Sequence, residues 1–544
     1  MSALQPLSAY PTFTAVEEFA LRDPAIDVPG ARYRGLIPAS LPEAGQQYAF
    51  EVDLDACSGC KACVVACHNL NGLEEDELWR SVGLLHGGSN ALPVIQHVTT
   101  ACHHCLEPAC LHGCPVRAYE KDPRTGIVRH LDEQCIGCQY CVLTCPYDVP
   151  KYSKRLGIVR KCDMCRTRLA SGEAPACVQA CPTHAIRISL IDRQEAADNC
   201  ETNLFLPGAP EPEHTLPTTV YKTSRALPGN LLPADYYSAA PQHAHWPLVF
   251  MLVLTQASVG LLLAEWCLSA IADGGRPSPH QLAIDVACLL GVAGIAASLL
   301  HLGRPWYAFR ALLGLRTSWL SREILAFSCY GALVALCAGL PRLAPLGAPL
   351  SASLIFASEA AACIWGMLAV ACSVMIYART RRAFWNAGPT AARFGLTCAV
   401  LGIAVLLLIE AITVENRPLA ASSSVEMCRW LAAAMVVKLL GEGAVFAHLR
   451  RTRRGPLKRT ALLMLGELKQ ITQARFALGA FGGVLLPLAM ASGPFPSAVA
   501  GDQPRLAVAI YALMVVAVLL GELAERYLFF TAVVAPKMPG APAS

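Results

Sequence analysis

The chain has 544 residues with 44 Lys+Arg against 40 Asp+Glu, a formal net charge of +4, and this near-balance gives no reason to expect a nucleic-acid partner. The balance conceals a division: residues 1–245 carry 20 basic against 27 acidic residues, residues 246–544 carry 24 against 13, and the apolar sequence is concentrated in the second part. Of 25 cysteines, 16 fall in four groups before residue 182, which excludes a secreted disulfide framework and points to metal ligation.

Residues 1–47 are rich in Pro and Ala and contain neither Arg-Arg nor a basic stretch followed by an apolar one, so they read as a surface arm without an export signal. YAFEVDL at 48–54 alternates apolar and polar residues and predicts a strand. It leads into Cys57, Cys60, Cys63 and Cys67, a C-x2-C-x2-C-x3-C run followed by His68. The acidic stretch Glu74 to Glu77 reads as a solvated face.

The second run is Cys102, Cys105, Cys110 and Cys114, the third Cys135, Cys138, Cys141 and Cys145, and the fourth Cys162, Cys165, Cys177 and Cys181. All three end in Cys-Pro. GIVRHL at 126–131 and AIRISLID at 185–192 are the clearest strands among them. A lone CxxC pair would favour zinc. In the third run, however, three thiolates in one tight loop can hold three irons of a [4Fe–4S] cube, and the cysteine before proline turns to a second cluster. Sixteen cysteines in four quartets are the ligand count of four such cubes. The lost proline after Cys67 does not remove its thiolate. Cys200 and the eight cysteines of the apolar segments are given no role, because free Cys usually packs as a small hydrophobe.

Residues 200–245 are rich in Pro and read as an extended linker. From Trp246 onward eight apolar stretches can cross a bilayer, at about 248–271, 282–301, 323–340, 353–377, 394–414, 428–448, 474–492 and 506–530. Loops 302–322, 378–393 and 449–475 and the tail from Arg526 hold 18 Lys+Arg; the alternate loops with their edges hold 5. Basic loops stay cytoplasmic, which places residues 1–245 and both termini on the cytoplasmic side of the inner membrane. The fold class expected is an α+β, ferredoxin-like four-cluster domain over 48–199, then an all-α membrane domain of eight transmembrane helices over 246–544.

The cysteine runs within 48–195 resemble the four-cluster electron-transfer subunits of the DMSO reductase family of molybdenum enzymes. That resemblance implies interleaved ligation: Cys57, Cys60 and Cys63 with Cys181; Cys162, Cys165 and Cys177 with Cys67; Cys102, Cys105 and Cys110 with Cys145; Cys135, Cys138 and Cys141 with Cys114. HWPLVFM at 245–251, LLHLGRPWYAFRALLGLRTSWLSREI at 299–324 and LLGELAERYLFF at 519–530 resemble the quinone-reactive membrane anchor of the same family. The chain thus resembles two subunits fused in one, and the resemblance implies a separate molybdopterin-containing catalytic subunit, since no substrate-converting constellation is present.

Ionisable groups inside spans are costly, roughly 2.5–3.5 kcal/mol at the bilayer centre. Glu265, Glu359 and Glu410 lie towards the outer side of the expected topology; Lys438 and Glu442 stand one turn apart and can pair. A quinone exchanges two protons with its two electrons and needs a titrating partner near the cytoplasmic face. His301 suits this, with Arg304, Arg322 and Glu323 beside it in sequence. From 246 onward the only histidines are His280, His301 and His448, near span ends, so no haem is expected. On substrate, the segment RTSWLSRE and the cytoplasmic placement put sulfite oxidation first. Reduction of DMSO or another S- or N-oxide in anaerobic respiration, drawing on menaquinol, is the alternative. A hydrogenase- or haem-linked relay comes last.

Overall fold

The computed structural model describes residues 33–271, 281–343, 352–413, 421–492 and 504–541; residues 1–32 of the expected arm, His280 and most of the four Lys/Arg-poor loops lie outside them. The chain divides into two compact units, one running to Ser238 and resuming at Pro536, the other comprising Ala239–Ala535.

In the first unit β1 (Gln46–Asp53) pairs antiparallel with β8 (Ile186–Asp192) from Gln46↔Asp192 to Val52↔Ile186, and Asp53 N–H donates to the Ala185 carbonyl at 2.8 Å. Cys57 stands four residues after Asp53 and Cys181 four before Ala185. The pairing therefore brings the start of the first run to the end of the fourth. A hairpin repeats the arrangement for the other two runs. In β4 (Tyr119–Lys121) and β5 (Val128–His130), Tyr119 pairs with His130, leaving Cys114 five residues before one and Cys135 five after the other. A second sheet joins β2 (Ser81–Gly88) to β3 (Pro93–Thr100), and β6 (Lys151–Ser153) pairs with β7 (Ile158–Arg160).

Short helices carry the runs, and proline decides where three of them stop. α2 (Ala109–Gly113) and α3 (Tyr140–Thr144) end at Cys114 and Cys145, whose ψ angles of 119° and 118° are the extended values that a following proline imposes. α5 (Ala176–Gln179) likewise ends just before Cys181-Pro182. In the first run His68 imposes nothing. α1 (Ala62–Asn71) runs on for another turn to a left-handed Gly72, and the His68 ring bonds the Glu74 carbonyl at 3.0 Å.

The stretch expected as a linker differs from that expectation. Residues 200–238 belong to the first unit: β9 (Val220–Lys222) lies parallel to β1, β10 (Leu232–Pro233) pairs with β2, and Thr215 and Thr218 are buried. Proline there shapes edge strands and turns, because polar partners pin the chain: Tyr147 Oη to Thr215 Oγ1 at 2.8 Å, and Gln47 Nε2 to Thr218 Oγ1 at 3.3 Å. The carboxyl-terminal tail also belongs here. Met538 and Ala541 are buried in the same core as Phe50, Val52, Leu85, Val98 and Ile186. A Cβ on Gly540 would stand 2.1 Å from the Leu84 carbonyl oxygen, and φ there is +67°, so only glycine fits.

Among the described residues the second unit holds eight helices long and apolar enough to cross a membrane. They are α7 (Trp246–Ile271), α8 (Gln281–Leu299), α9 (Trp319–Leu343), α10 (Ala352–Ala378), α11 (Ala387–Thr413), α12 (Ala421–Gly443), the composite of α14 (Lys469–Ala480) and α15 (Leu486–Ala491), and α16 (Pro504–Thr531). The short helix α13 (Pro456–Leu465) lies in the long basic loop. α14 and α15 are joined by a π turn, Phe481–Leu485, containing Gly482 and Gly483. α7 and α11 cross backbone to backbone: a Cβ on Gly260 would lie 1.9 Å from the Cys398 carbonyl oxygen. Close approach through small residues is how helices gain dispersion contacts in lipid.

Candidate metal centres and a buried ion network

The sixteen cysteines gather as four mixed quartets. Cys57, Cys60, Cys63 and Cys181 line one cavity, with Gly59 and Thr99; Cys102, Cys105, Cys110 and Cys145 line another, with Lys161 and Tyr147. Cys67 is an electrostatic neighbour of Cys177 and Cys165, and Cys162 of Cys67, Cys165 and Cys177. Cys114 stands with Cys135, Cys138 and Cys141. Burial, with Cys177 and Cys165 adding repulsion, pushes the Cys67 thiol up to about 12, so a cation must displace that proton before Cys67 can serve as a thiolate. Among the described residues no three Cys, His, Asp or Glu side chains come close enough to share one ion. A zinc ion bonded at about 2.3 Å to each sulfur would need that, whereas all-cysteine quartets around wider spaces fit iron–sulfur cubes.

The quartets lie in a file, and a buried polar side chain stands at each joint. Arg80, 2 % exposed, has Cys177, Cys63, Cys162 and Cys67 around it, donates from Nη1 to Thr99 Oγ1 at 3.1 Å and covers the Phe50 ring at 4.6 Å. Lys161 sits at the next joint: its Nζ is 3.6 Å from Cys102 Sγ and donates to the carbonyls of Val128 and Cys162. Burial opposes the charge of Lys161, but Cys102, Cys110 and Cys162 outweigh it and hold its pKa above the ordinary value. Buried Tyr119 neighbours Cys141 and Cys110 at the last joint. Sequence patterning singles out none of these three, because the signal for a buried cation beside thiolates is spatial.

The two histidines between Cys102 and Cys105 have structural work. His104 Nδ1 accepts from Val128 N–H at 3.0 Å, and His103 bonds Thr219 Oγ1 at 2.8 Å and packs edge-on against Tyr147. Burial, then Arg80, pulls His103 down to about 3, which keeps it neutral.

In the second unit the four residues expected at a quinone face take different partners. The His301 ring lies 5.0 Å from that of His245, which in turn packs against Phe530 and His243. Burial, with His301, His243 and Arg382 nearby, pulls His245 down to about 3. Glu323, buried on the first turn of α9, accepts from Ser373 Oγ on α10. Arg322 turns away, donating to the Leu315 and Arg316 carbonyls and covering Trp319 at 4.4 Å. Arg304 caps the 3-10 turn Pro305–Gly314. Sequence patterning does not single out His245 as a site residue, although HWPLVFM reads as a helix start; its relevance comes from packing against His301.

Lys438 and Glu442 do meet, at 3.6 Å, but as part of a larger network. Lys438 Nζ also reaches Glu522 at 3.3 Å and donates to Thr397 Oγ1 and the Arg393 carbonyl, both at 2.8 Å. Arg475 pairs bidentately with Glu442 at 2.8 and 2.7 Å and meets Glu522 at 3.0 Å. Arg526 reaches Gln256 at 2.9 Å and Glu525 at 3.4 Å. These groups come from α7, α11, α12, α14 and α16, and mutual pairing is what makes such charges tolerable inside a bundle.

Two family models match the chain: "4Fe-4S dicluster domain" over residues 94–191 and "DMSO reductase anchor subunit (DmsC)" over residues 242–453. Among curated proteins, the chain is 34% identical over 189 residues to the B subunit of anaerobic dimethyl sulfoxide reductase from Haemophilus influenzae, covering 33% of this chain and 91% of that subunit. It is 40% identical over 152 residues to the thiosulfate reductase electron transfer subunit PhsB of Salmonella typhi, covering 27% and 79%. It is 33% identical over 189 residues to the hydrogenase-2 operon protein HybA of Escherichia coli O157:H7, covering 30% and 56%.

Proposed function

The chain belongs to the family of iron–sulfur electron-transfer and membrane-anchor subunits of dimethyl sulfoxide reductase-type complexes, and from that premise we propose that it wires a molybdoenzyme partner to the membrane quinone pool through four [4Fe–4S] clusters. The observation that carries the cluster count is the sorting of sixteen cysteines into four mixed quartets by two symmetric strand pairings. Each quartet supplies the four sulfurs that one cube requires, and such cubes, when bound, accept and release single electrons. The chain's own residues hold the sulfurs in file and bury most of these cysteines, with Cys60 left exposed. Two cations, Arg80 and Lys161, are buried between quartets.

A fixed positive charge beside a cluster favours its reduced form, because net charge and hydrogen bonds to sulfur set the potential. Lys161→Met is therefore expected to lower the midpoint of the cluster held by Cys102, Cys105, Cys110 and Cys145, with iron content unchanged. Redox titration followed by EPR checks this, and an unshifted midpoint refutes it.

For the quinone we propose His301 as hydrogen-bond and proton partner, supported by neutral His245 against its ring, with Glu323 as the group that passes protons on. Arg304 and Arg322 shape the loop between them. The basic loops support a cytoplasmic placement of this face in the inner membrane. Eight spans and a chain that returns to its first unit at Pro536 fit both termini on one side.

The substrate we propose for the partner is sulfite, on the segment Arg316–Glu323 and the cytoplasmic placement. The names of the relatives favour a second reading, reduction of dimethyl sulfoxide or thiosulfate. Membranes containing the whole complex, given sulfite plus a quinone analogue and then quinol plus each oxidant, decide the matter. Turnover with sulfite is expected. Turnover confined to the reductive pairs overturns the sulfite reading and leaves the relay standing.

A further inference from the structure

Three helices of the membrane unit carry buried groups at intervals of seven residues, all polar but one glycine, and the intervals coincide in depth. α9 carries Glu323 and Tyr330, α7 carries Ser258 and Glu265, and α10 carries Glu359, Gly366 and Ser373. At about 1.5 Å per residue, Glu323 lies about 6 Å above the start of α9 and Ser373 about 7.5 Å from the end of α10. Tyr330, Ser258 and Gly366 fall at about 16–18 Å on the same scale, and Glu265 and Glu359 both at about 28 Å. A bilayer's hydrocarbon core is about 30 Å thick, so the three levels reach from one face nearly to the other.

Contacts tie each level together. Ser373 Oγ donates to Glu323 at the first. At the second, Ser258 Oγ is 2.6 Å from Tyr330 Oη and gives its own proton to the Ala287 carbonyl at 2.6 Å, so the tyrosine donates to the serine. At the third, Glu265 and Glu359 are electrostatic neighbours, and Ser269 lies 3.5 Å from Glu265. Ser373, Tyr330, Ser258, Glu265 and Glu359 are 0–2 % exposed and Glu323 is 5 %. Gly366 keeps the helices close at this level: a Cβ there would stand 2.9 Å from Val259 Cγ2 and 3.1 Å from Tyr330 Cδ2. Glu359 Oε1 is buried with no hydrogen-bond partner among the described residues, a costly arrangement that packing does not account for and that internal water resolves.

We propose that this seam is a proton path across the membrane, running from Glu265 and Glu359 through Tyr330 and Ser258 to Glu323 and Ser373, with water bridging the intervals of about two helical turns. The inference rests on the quinone reading above. Each quinone reduced takes two electrons from the relay and two protons through the seam, and each quinol oxidised returns both. Electrons and protons then reach the same quinone from opposite faces of the membrane, which makes turnover electrogenic. Carboxyl and phenol groups both accept one proton while releasing another, the property a relay needs.

The test uses the whole complex reconstituted into liposomes, with the catalytic partner outside and a pH-reporting dye trapped in the lumen. Quinone-linked turnover is expected to shift the luminal pH by two protons per quinone. Tyr330→Phe and Glu359→Gln should abolish that shift and slow quinone-linked turnover by about 100-fold, with dye-linked turnover of the catalytic partner unchanged. Quinone turnover in the unaltered protein with all protons exchanged on the outer side of the liposome overturns the path, and this needs no variant to fold. Absence of any quinone-linked turnover, with dye-linked activity intact, overturns instead the quinone reading on which the path rests.

Discussion

Replacing Cys181 with alanine is expected to empty a site that lies far from its own run in sequence. The purified protein should hold about sixteen irons, and the variant about twelve, with the loss falling on the cluster held by Cys57, Cys60 and Cys63. The reason is the antiparallel pairing of β1 and β8, which carries Cys181 to the first run and leaves Cys162, Cys165 and Cys177 to be completed by Cys67. Removing one member of a conducting file should also stop electron passage between the catalytic partner and the membrane almost completely. EPR of the reduced protein, read beside iron analysis, identifies which signal has gone. Loss of the signal that Cys165→Ala also removes would show that the runs are not interleaved.

His301→Ala is expected to abolish quinone-linked turnover while leaving cluster content and dye-linked activity of the complex intact. The ring sits where α8 ends, edge-on to His245 at the start of α7, with Phe530 near the end of α16 behind His245. A neutral His245 can share a proton with His301 without adding a second charge. Loss of a positioned proton partner typically costs about 10²–10⁴ in rate, and His301→Gln, which keeps a hydrogen bond but cannot titrate, should recover binding without rate. Unchanged quinone kinetics in His301→Ala would remove this residue from the site.

The cysteine spacing is legible because ligation by short runs leaves its pattern in local sequence, and so are the eight spans, since lipid demands long apolar stretches. The mixed quartets follow from two strand pairings whose flanks are equal in length, four and four, five and five. That equality can be counted in the sequence only once the pairings are known. Arg80 and Lys161 have no signal, because nothing in their neighbours announces that thiols from three different runs will surround them. Lys438 with Glu442 shows the same limit from the other side. Local spacing finds the one-turn pair, but Arg475 and Glu522 reach it from helices distant in sequence. Over residues 200–238 composition misleads, because proline content signals a lack of helix, not a lack of partners.

Met538 and Ala541 fill the core, and Gly540 packs on Leu84, in a unit whose other residues were made about three hundred to five hundred positions earlier. During synthesis those other residues leave the ribosome first, yet their core stays incomplete until all eight spans have followed. Burying a side chain such as Met538 contributes about 1.5–3 kcal/mol, a sizeable part of the margin that keeps a domain folded. Residues 536–541 thus join this core only after the membrane unit between Ala239 and Ala535 has been made. Closure of the cysteine-bearing unit is in this way tied to synthesis of the membrane unit that interrupts it.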